Sequence, residues 1–249
     1  PTISTSLAIK LKMYASIGFI AMLIWSVYVT AHNKVALWKL MTGRSIGEVE
    51  HTLTEQRHGE PYHAVYRLAF SIYANVLASQ QIDKLVVAAN KAQVDSCTYT
   101  SPHIVLIIGE SFSKHHSQQY GYAQPTTPRQ VRRERSGQLV KFNDVVSPWN
   151  LTSYVFKHVF SLYDVGERGE WCDYPLFPQL FRKAGYHVTF ITNQFLPKAK
   201  EAVYDFSGGF FLNNPTLNKA MFDTRNDSIY PYDEHLVGEY ARLKAQMGK

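Results

Sequence analysis

The pattern of apolar and polar positions begins with one long uncharged segment. Residues 13–31 carry no charge, and Ile, Leu, Val, Phe and Trp fill most of the middle. A helix of that length is about 28 Å long, close to the ~30 Å hydrocarbon core of a bilayer. Trp25 and Tyr28 lie near one end, where interfacial aromatic residues are common, and no small-residue cleavage site follows. The segment predicts a transmembrane helix, in preference to a signal peptide or a buried core helix.

The charges around this segment leave its orientation open. Lys10 and Lys12 precede it, but His32 and Lys34 follow it, so the positive-inside rule selects neither direction. The chain begins at Pro1, almost directly before the apolar segment. We therefore expect it to belong to a longer protein with further spans before it.

The next stretch, residues 32–100, is rich in helix formers. Apolar and aromatic residues recur at helical spacing between residues 62 and 77. This pattern predicts a pair of amphipathic helices that rest on the membrane or on the following domain. The aromatic stripe is expected to serve packing and not ligand binding.

The pattern changes again at Ser101, and short strands alternate with helices from there on. Residues 103–108 (HIVLII) form a β-branched run typical of a strand buried on both faces of a parallel sheet. Residues 175–184 have helical spacing that ends at Gly185, and residues 187–192 (HVTFIT) form a second run. Strand, helix and strand in this order predict an α/β domain.

Two predictions concern the last part of the chain. Residues 204–232 contain many Gly, Asn, Asp and Pro residues and predict a long surface loop. Residues 233–247 predict a helix.

Charge and cysteine content narrow the class of protein. The net charge is +6, but the chain has no basic helix with interleaved aromatic residues, so we predict no nucleic-acid partner. The arginines between residues 129 and 135 predict a solvated loop. Cys97 and Cys172 lie far apart and belong to no CxxC motif, which excludes a zinc knuckle and a disulfide-dense scaffold. They form one bridge or none.

Two residues stand where phosphoryl chemistry needs them. Glu110 follows the predicted strand 103–108, and parallel sheets bind ligands beyond the carboxyl ends of their strands. A carboxylate there suits a metal, although a Glu that caps the next segment looks the same. Thr152 precedes an apolar helical pattern, and a helix N-terminus favours an anionic phosphate. An ordinary N-cap threonine gives the same pattern.

The sequence around these residues resembles the phosphoethanolamine transferases of the alkaline-phosphatase and sulfatase superfamily. In that family a strand ends in V-G-E-S/T, a G-Y and T-x-P turn follows, and a threonine nucleophile lies farther along. Here residues 108–111 read I-G-E-S, Gly121 and Tyr122 begin the turn, residues 126–128 (TTP) end it, and Thr152 follows.

The resemblance covers residues 102 to about 200 and implies an organisation for the whole chain. The expected fold class is α/β: an N-terminal transmembrane helix and juxtamembrane helices, followed by part of an alkaline-phosphatase/sulfatase-like α/β/α sandwich. The expected segments are a membrane-flanking segment 1–12, a transmembrane helix 13–31, a juxtamembrane helical region 32–100 and the N-terminal part of a catalytic domain 101–249.

The resemblance also implies a role for each site residue. Glu110 corresponds to a Zn²⁺ ligand, and Thr152 to the nucleophile, which also binds the metal. A zinc ion lowers the pKa of a bound hydroxyl, which makes a threonine usable as a nucleophile at neutral pH. Asn193, Gln194 and Lys198 correspond to the amide and lysine groups that hold the substrate phosphate.

The implied reaction transfers phosphoethanolamine from phosphatidylethanolamine to lipid A or another cell-envelope glycan. The implied setting is the bacterial inner membrane, in contact with membrane lipids, with the catalytic domain in the periplasm. The remaining zinc ligands are expected beyond residue 249, so this chain alone is expected to be inactive. Many relatives bracket the nucleophile with a disulfide where Pro148 and His158 stand here, so we expect packing to replace that bridge.

Other functions remain open at this stage. A phosphoglycerol transferase would differ in the donor headgroup, which the sequence does not specify. A sulfatase would need a C-x-P/A-x-R motif, but Cys97 is followed by TYTS and Cys172 by DYPL. A third alternative is a non-catalytic, membrane-tethered module.

Overall fold

The computed structural model describes residues 5–55, 59, 64–98, 101–109, 111–147, 149–194 and 209–247. These residues are mostly helical and include one small parallel sheet. The helices are α1 (Thr5–Met41), α2 (Ile46–Thr54), α3 (Ala64–Lys91), α4 (Pro128–Arg135), α5 (Thr152–Phe160), α6 (Phe177–Lys183), α7 (Gly209–Leu212), α8 (Pro215–Met221) and α9 (His235–Met247). The strands are β1 (Thr189–Phe190) and β2 (Thr224–Arg225), and short 3₁₀ turns span Lys114–His116, Gln118–Tyr120 and Trp171–Asp173.

Helix α1 contains the predicted transmembrane segment. Its portion Ile9–Met41 is long and apolar enough to cross a membrane, and none of its most apolar stretch is buried inside the protein. An exposed apolar surface of this length is unfavourable in water and favourable in lipid. The helix predicted over residues 13–31 is therefore confirmed, and it continues well beyond that segment.

The C-terminal end of α1 packs on α2 and α3, and the described residues between 32 and 91 are mostly helical, as the sequence predicts. Leu40, Ile46 and Leu85 are fully buried in the shared core. The Ser45 hydroxyl caps α2 by accepting a hydrogen bond from the Glu48 amide at 3.2 Å. The Glu48 carboxylate accepts from the Arg44 amide in return, so the turn between α1 and α2 is fixed at both ends.

Gly59 gives the tightest backbone approach in this helical region, and it leads to a prediction. A methyl group at Gly59 would lie 2.8 Å from the carbonyl carbon of Ala36 and closer still to the Leu37 backbone. Gly59→Ala is therefore expected to destabilise the fold by about 1–3 kcal/mol through overpacking. Gly238→Ala is the matched control, because nothing lies within 4 Å of that position in α9 and it should stabilise the helix by about 0.5–1 kcal/mol. Thermal unfolding in detergent checks both, and equal shifts would contradict the close approach.

The helical region is joined to the rest of the chain through α3. Lys84 Nζ lies 2.8 Å from a Glu170 carboxylate oxygen and 3.3 Å from one of Asp173. Farther along α3, the Lys183 ammonium donates to the backbone carbonyls of Ala89 and Ala92. Residues from α6 and the Trp171–Asp173 turn are thereby held against α3.

The second predicted strand forms, but it is short. β1 pairs in parallel with β2, with Thr189 opposite Thr224 and Phe190 opposite Arg225. The preceding helix α6 ends at Lys183, and Gly185 follows with a φ of +92°, as the sequence predicts. The described residues thus contain a two-stranded parallel sheet, and the larger α/β/α sandwich stays a prediction.

The first predicted strand is wrong for the fold described here. Residues 103–109 have no regular secondary structure, and Ile107 is 85% exposed. A buried parallel strand needs a ladder on each side and helices over both faces. Among the described residues nothing pairs with this segment, so its apolar side chains remain on the surface.

The loops predicted at residues 129–135 and 204–232 are also wrong. The arginine-rich segment forms helix α4, with Pro128 at its first turn and no buried residue. Residues 209–225 form α7, α8 and β2, and their apolar side chains are buried in the core: Phe210, Phe211, Leu212, Leu217 and Met221. The helix predicted over residues 233–247 is confirmed as α9.

Candidate active site

Thr152 is the first residue of helix α5 and is partly buried. The preceding Leu151 occupies the N-cap position with extended backbone angles. A leucine side chain cannot accept a hydrogen bond, so the N-cap residue makes no side-chain cap bond to the first turn. The predicted position at a helix N-terminus is confirmed, whereas the alternative that Thr152 is the N-cap residue is wrong.

The side of α5 opposite Thr152 is bound to α2. With 3.6 residues per turn, Tyr154 and Lys157 project roughly opposite Thr152. The Lys157 ammonium donates to the Glu50 carboxylate at 2.7 Å, and both side chains are almost completely buried, with 2% and 3% exposed. The Tyr154 hydroxyl donates to the Gly47 carbonyl at 2.5 Å. The helix that begins at Thr152 is thus anchored to the membrane-proximal region from behind.

Burial shifts the pKa values of the side chains on this face of α5. It lowers the pKa of Lys157, because the charged form loses solvation, although the neighbouring Glu50 carboxylate opposes the shift. Burial also raises the pKa of Tyr154 to about 12, and the Glu50 charge adds to the effect. The pKa of His158 is lowered, first by burial, so its imidazole is neutral at pH 7.

Aromatic stacking holds the segment before α5. The Trp149 ring lies over the His158 imidazole with 3.9 Å between centroids, and over the Tyr154 ring at 6.0 Å. His158 stands at one of the two positions where many relatives are expected to carry a disulfide, and Pro148 lies outside the described residues. The stacking fits the expectation that packing supplies the local rigidity.

The turn that begins at Gly121 and Tyr122 and ends in Thr-Thr-Pro is held by hydrogen bonds of its threonine hydroxyls within the protein. The Thr126 hydroxyl donates to the His116 carbonyl at 2.7 Å and accepts from the Gln118 amide at 3.1 Å. The Thr127 hydroxyl accepts from the Gln119 amide at 3.2 Å. Gly121 adopts a φ of +97°, which favours glycine. These bonds fix the two 3₁₀ turns that follow residue 113.

Glu110 lies outside the described residues, but the residue after it is described. Ser111 has a φ of +51°, the only positive value among the non-glycine residues that the structure describes. Non-glycine residues adopt this left-handed conformation rarely, and it costs conformational energy. The chain therefore turns sharply just beyond the proposed metal ligand.

The two predicted amide side chains, Asn193 and Gln194, follow β1 and differ in their surroundings. Asn193 donates to the Tyr230 carbonyl at 2.8 Å and to the Asp233 carboxylate at 3.0 Å, while its side-chain oxygen accepts from the Tyr230 amide at 2.6 Å. Its amide is thus engaged in holding residues 230–233. Gln194 has an exposed side chain and is the better placed of the two to meet a ligand. Lys198 lies outside the described residues.

Asn226 extends the parallel sheet at the same end and was not predicted. Its side-chain oxygen accepts from the Thr192 amide at 2.9 Å, and its side-chain amide donates to the Thr192 carbonyl at 2.7 Å. The side chain is 1% exposed and replaces the next step of the backbone ladder. Its position directly after β2 is the signal that sequence reasoning could have used.

The predicted site residues lie on two elements that meet at the far end of α5. Phe160, the last residue of α5, contacts Phe190 of β1 with 6.3 Å between ring centroids. Thr152 lies eight residues earlier, or about 12 Å along the helix axis. The structure thus places Thr152 at one end of α5 and the β1 residues beside the other end.

Comparison with known proteins supplies the family. The family model described as Sulfatase matches residues 102–249, which is more than half of the chain. The chain belongs to the sulfatase family. No solved structure gives a significant match.

Two relatives of this sulfatase-family chain are phosphoethanolamine transferases. It is 28% identical over 142 residues to phosphoethanolamine transferase EptA of Helicobacter pylori, covering 57% of the chain and 25% of the relative. It is 24% identical over 143 residues to phosphoethanolamine transferase CptA of Salmonella typhimurium, covering 57% of the chain and 24% of the relative. The chain thus spans about a quarter of the length of these relatives. This relationship supports the general reaction class of a transferase.

The residues of the sulfatase-family chain that the structure describes do not form a metal centre by themselves. Among them, no three His, Cys, Asp or Glu side chains lie close enough to hold an ion. A protein zinc site normally needs three or four ligands, and Thr152 is the one predicted ligand that is described.

Neither cysteine of this chain is part of a disulfide in the structure. Cys97 is exposed and Cys172 is buried. Burial, together with the nearby Glu170 carboxylate, raises the pKa of Cys172 to about 12. The thiolate is thus scarce at neutral pH, and Cys172 is a packing residue and not a nucleophile.

Proposed function

We propose that this chain belongs to a phosphoethanolamine transferase that moves phosphoethanolamine from phosphatidylethanolamine to lipid A or another cell-envelope glycan through a phosphorylated Thr152. The observation that carries the proposal is the position of Thr152 as the first residue of α5, in a sulfatase-family chain related to phosphoethanolamine transferases. The reaction class rests on those relatives, and the residue assignment rests on the helix terminus.

The first half-reaction makes one phosphorus–oxygen bond and breaks another. The Thr152 hydroxyl oxygen attacks the phosphorus of the phosphatidylethanolamine headgroup, and the bond from phosphorus to the diacylglycerol oxygen breaks. The hydroxyl proton ends on that oxygen, so diacylglycerol leaves as a neutral alcohol. The amides of the first turn of α5 point toward the phosphoryl oxygens, and the helix dipole favours their negative charge.

The second half-reaction restores the threonine. An acceptor oxygen attacks the phosphorus, the bond to the Thr152 oxygen breaks, and Thr152 regains a proton. Attachment of α5 to α2 through the Lys157–Glu50 pair holds the nucleophile in place through both steps. Gln194 and Lys198 are the proposed partners of the phosphoryl oxygens, and Asn193 is proposed to keep that loop in position.

Zinc dependence is part of the proposal. Glu110 and Thr152 are the proposed ligands from this chain, and the other ligands are proposed to lie outside it. Zn²⁺ would supply a lowered pKa for the Thr152 hydroxyl and positive charge for the transferred group. The left-handed Ser111 next to Glu110 is the kind of backbone feature that concentrates at functional sites.

The apolar helix α1 supports a membrane location. A lipid donor is best reached by an enzyme tethered at the bilayer, and α1 carries an exposed apolar surface of the required length. We place the protein in the bacterial inner membrane with residues 101–249 on the periplasmic side. Within those residues we propose the beginning of an α/β/α sandwich.

The donor and the metal are tested together with the complete gene product. The protein is incubated in mixed micelles with phosphatidylethanolamine or phosphatidylglycerol, and released diacylglycerol is measured over time. The proposal expects release from phosphatidylethanolamine only, loss of release after treatment with a zinc chelator, and recovery when Zn²⁺ is added back. Release from phosphatidylglycerol alone would identify a phosphoglycerol transferase, and no release from either would favour a non-catalytic module.

A further inference from the structure

The buried side chain of Asn226 holds the backbone just beyond β1. Asn226 follows β2 directly, and its oxygen and amide bind the backbone amide and carbonyl of Thr192 at 2.9 and 2.7 Å. The same amide also donates to the Ser228 carbonyl at 2.8 Å. Because the oxygen and both amide hydrogens are engaged, only one orientation of the side chain satisfies all three bonds. Asn226 is 1% exposed and Thr192 is 9% exposed, so water does not compete for these bonds.

A second polar side chain fixes the next residue of the same segment. The Asn193 side chain binds both backbone groups of Tyr230, with 2.8 Å to the carbonyl and 2.6 Å to the amide. The Tyr230 hydroxyl in turn donates to the Glu239 carboxylate of α9 at 2.5 Å. Residues 192 and 193 are therefore tied, one after the other, to the chain that follows β2, beyond the last backbone pair of the sheet.

Gln194 comes next along the chain and has an exposed side chain. Its backbone amide donates to the Thr192 hydroxyl at 3.2 Å, so the position of its backbone follows that of Thr192. Asn226 holds Thr192 and thereby sets the direction in which Gln194 leaves the sheet. A buried side chain can thus orient an exposed one without approaching a ligand itself.

We propose that Asn226 is a positioning residue for transfer, which acts through Thr192 to hold Gln194 against the phosphoryl group. The inference rests on the proposed function, in which Gln194 binds the phosphoryl oxygens. Such a group must be held within about 0.5 Å of its productive position, and a misplacement of about 1 Å costs up to roughly 100-fold in rate. β1 ends at Phe190, so the bonds of Asn226 supply the hold that the sheet no longer gives.

The test measures kcat/KM for transfer of labelled ethanolamine by the complete gene product, at matched amounts of folded protein. Asn226→Ala removes all three hydrogen bonds and is expected to lower kcat/KM about tenfold or more. Gln194→Ala removes the group that Asn226 positions and should lower kcat/KM as well. In the double variant the effect of Asn226→Ala should shrink to about twofold, because Gln194 is no longer there to be misplaced. A residue that only supports the fold would lower kcat/KM by the same factor in both backgrounds.

Thr192→Val tests the same route if Asn226→Ala folds poorly. Valine keeps the shape and the backbone bonds to Asn226, but it lacks the hydroxyl that accepts from the Gln194 amide. It should lower kcat/KM, and again by a smaller factor in the Gln194→Ala background. Asn218→Ala is the matched control, because the Asn218 side chain donates to the Leu212 carbonyl at 3.3 Å, away from residues 192–194. Its loss should leave kcat/KM unchanged.

Two results would overturn this inference and leave the proposed function intact. One is an unchanged kcat/KM in a folded Asn226→Ala variant. The other is a loss from Asn226→Ala that is equal in the presence and absence of the Gln194 side chain. A complete gene product that transfers nothing would instead overturn the proposed function, and this inference with it.

Discussion

Lys157→Met is expected to lower the free energy of unfolding by about 3–5 kcal/mol, because it removes the ammonium that neutralises the buried Glu50 carboxylate. The two residues lie 107 positions apart and join α2 to α5. Urea unfolding in detergent, followed by tryptophan fluorescence, measures the loss. A double variant, Glu50→Leu with Lys157→Met, removes both charges and should recover most of the stability, since an apolar pair often replaces a buried ion pair without cost.

Lys141→Met is the matched control for this prediction. Lys141 also pairs with a glutamate, Glu134, at 3.2 Å, but both side chains are partly solvated. Its loss should cost less than about 1 kcal/mol. If Lys157→Met and Lys141→Met destabilise the protein equally, Glu50 is not buried as described and α5 is not anchored through this pair.

The second large effect is on transfer itself. Thr152→Ala is expected to reduce the rate of phosphoethanolamine transfer by the complete gene product on the order of 1,000-fold or more, as removal of a covalent nucleophile does. Thr152→Ser keeps the hydroxyl and should retain measurable transfer. The readout is labelled ethanolamine moved from phosphatidylethanolamine to acceptor per minute, at matched amounts of folded protein.

Thr216→Ala controls for the effect of removing a threonine from a first helical turn. Thr216 lies in the first turn of α8 and is exposed, so transfer should remain unchanged. Transfer by Thr152→Ala at the level of Thr216→Ala would exclude Thr152 as nucleophile, while leaving the reaction class untouched.

The features that follow from local sequence could be predicted. Three such features depend only on residues within a few positions of one another. They are the apolar helix α1, the end of α6 before Gly185 and the start of α5 at Thr152. One local signal was missed: Asn214 accepts hydrogen bonds from the amides of Thr216 and Leu217 at 3.0 and 3.1 Å. Asn followed by Pro is typical of a helix start. The many turn-forming residues in this segment led instead to the prediction of a loop.

The features that depend on distant residues could not be predicted. Whether residues 103–108 form a strand depends on a pairing partner, which local pattern does not reveal. The pairing of Lys157 with Glu50 depends on how α5 packs against α2, which the local sequence does not reveal. The position of Asn193 just after β1 was predicted correctly. Its hydrogen bonds to residues 230–233, however, depend on a segment that is distant in the sequence.

The most direct test of the central claim is mass spectrometry of the peptide that contains Thr152, after the complete gene product is incubated with phosphatidylethanolamine and Zn²⁺. The proposed mechanism predicts a phosphoethanolamine adduct on Thr152 that is absent from the Thr152→Ala variant. No adduct in metal-loaded protein that still transfers the headgroup would contradict the covalent mechanism, and a glycerol-phosphate adduct formed only with phosphatidylglycerol would contradict the assigned donor.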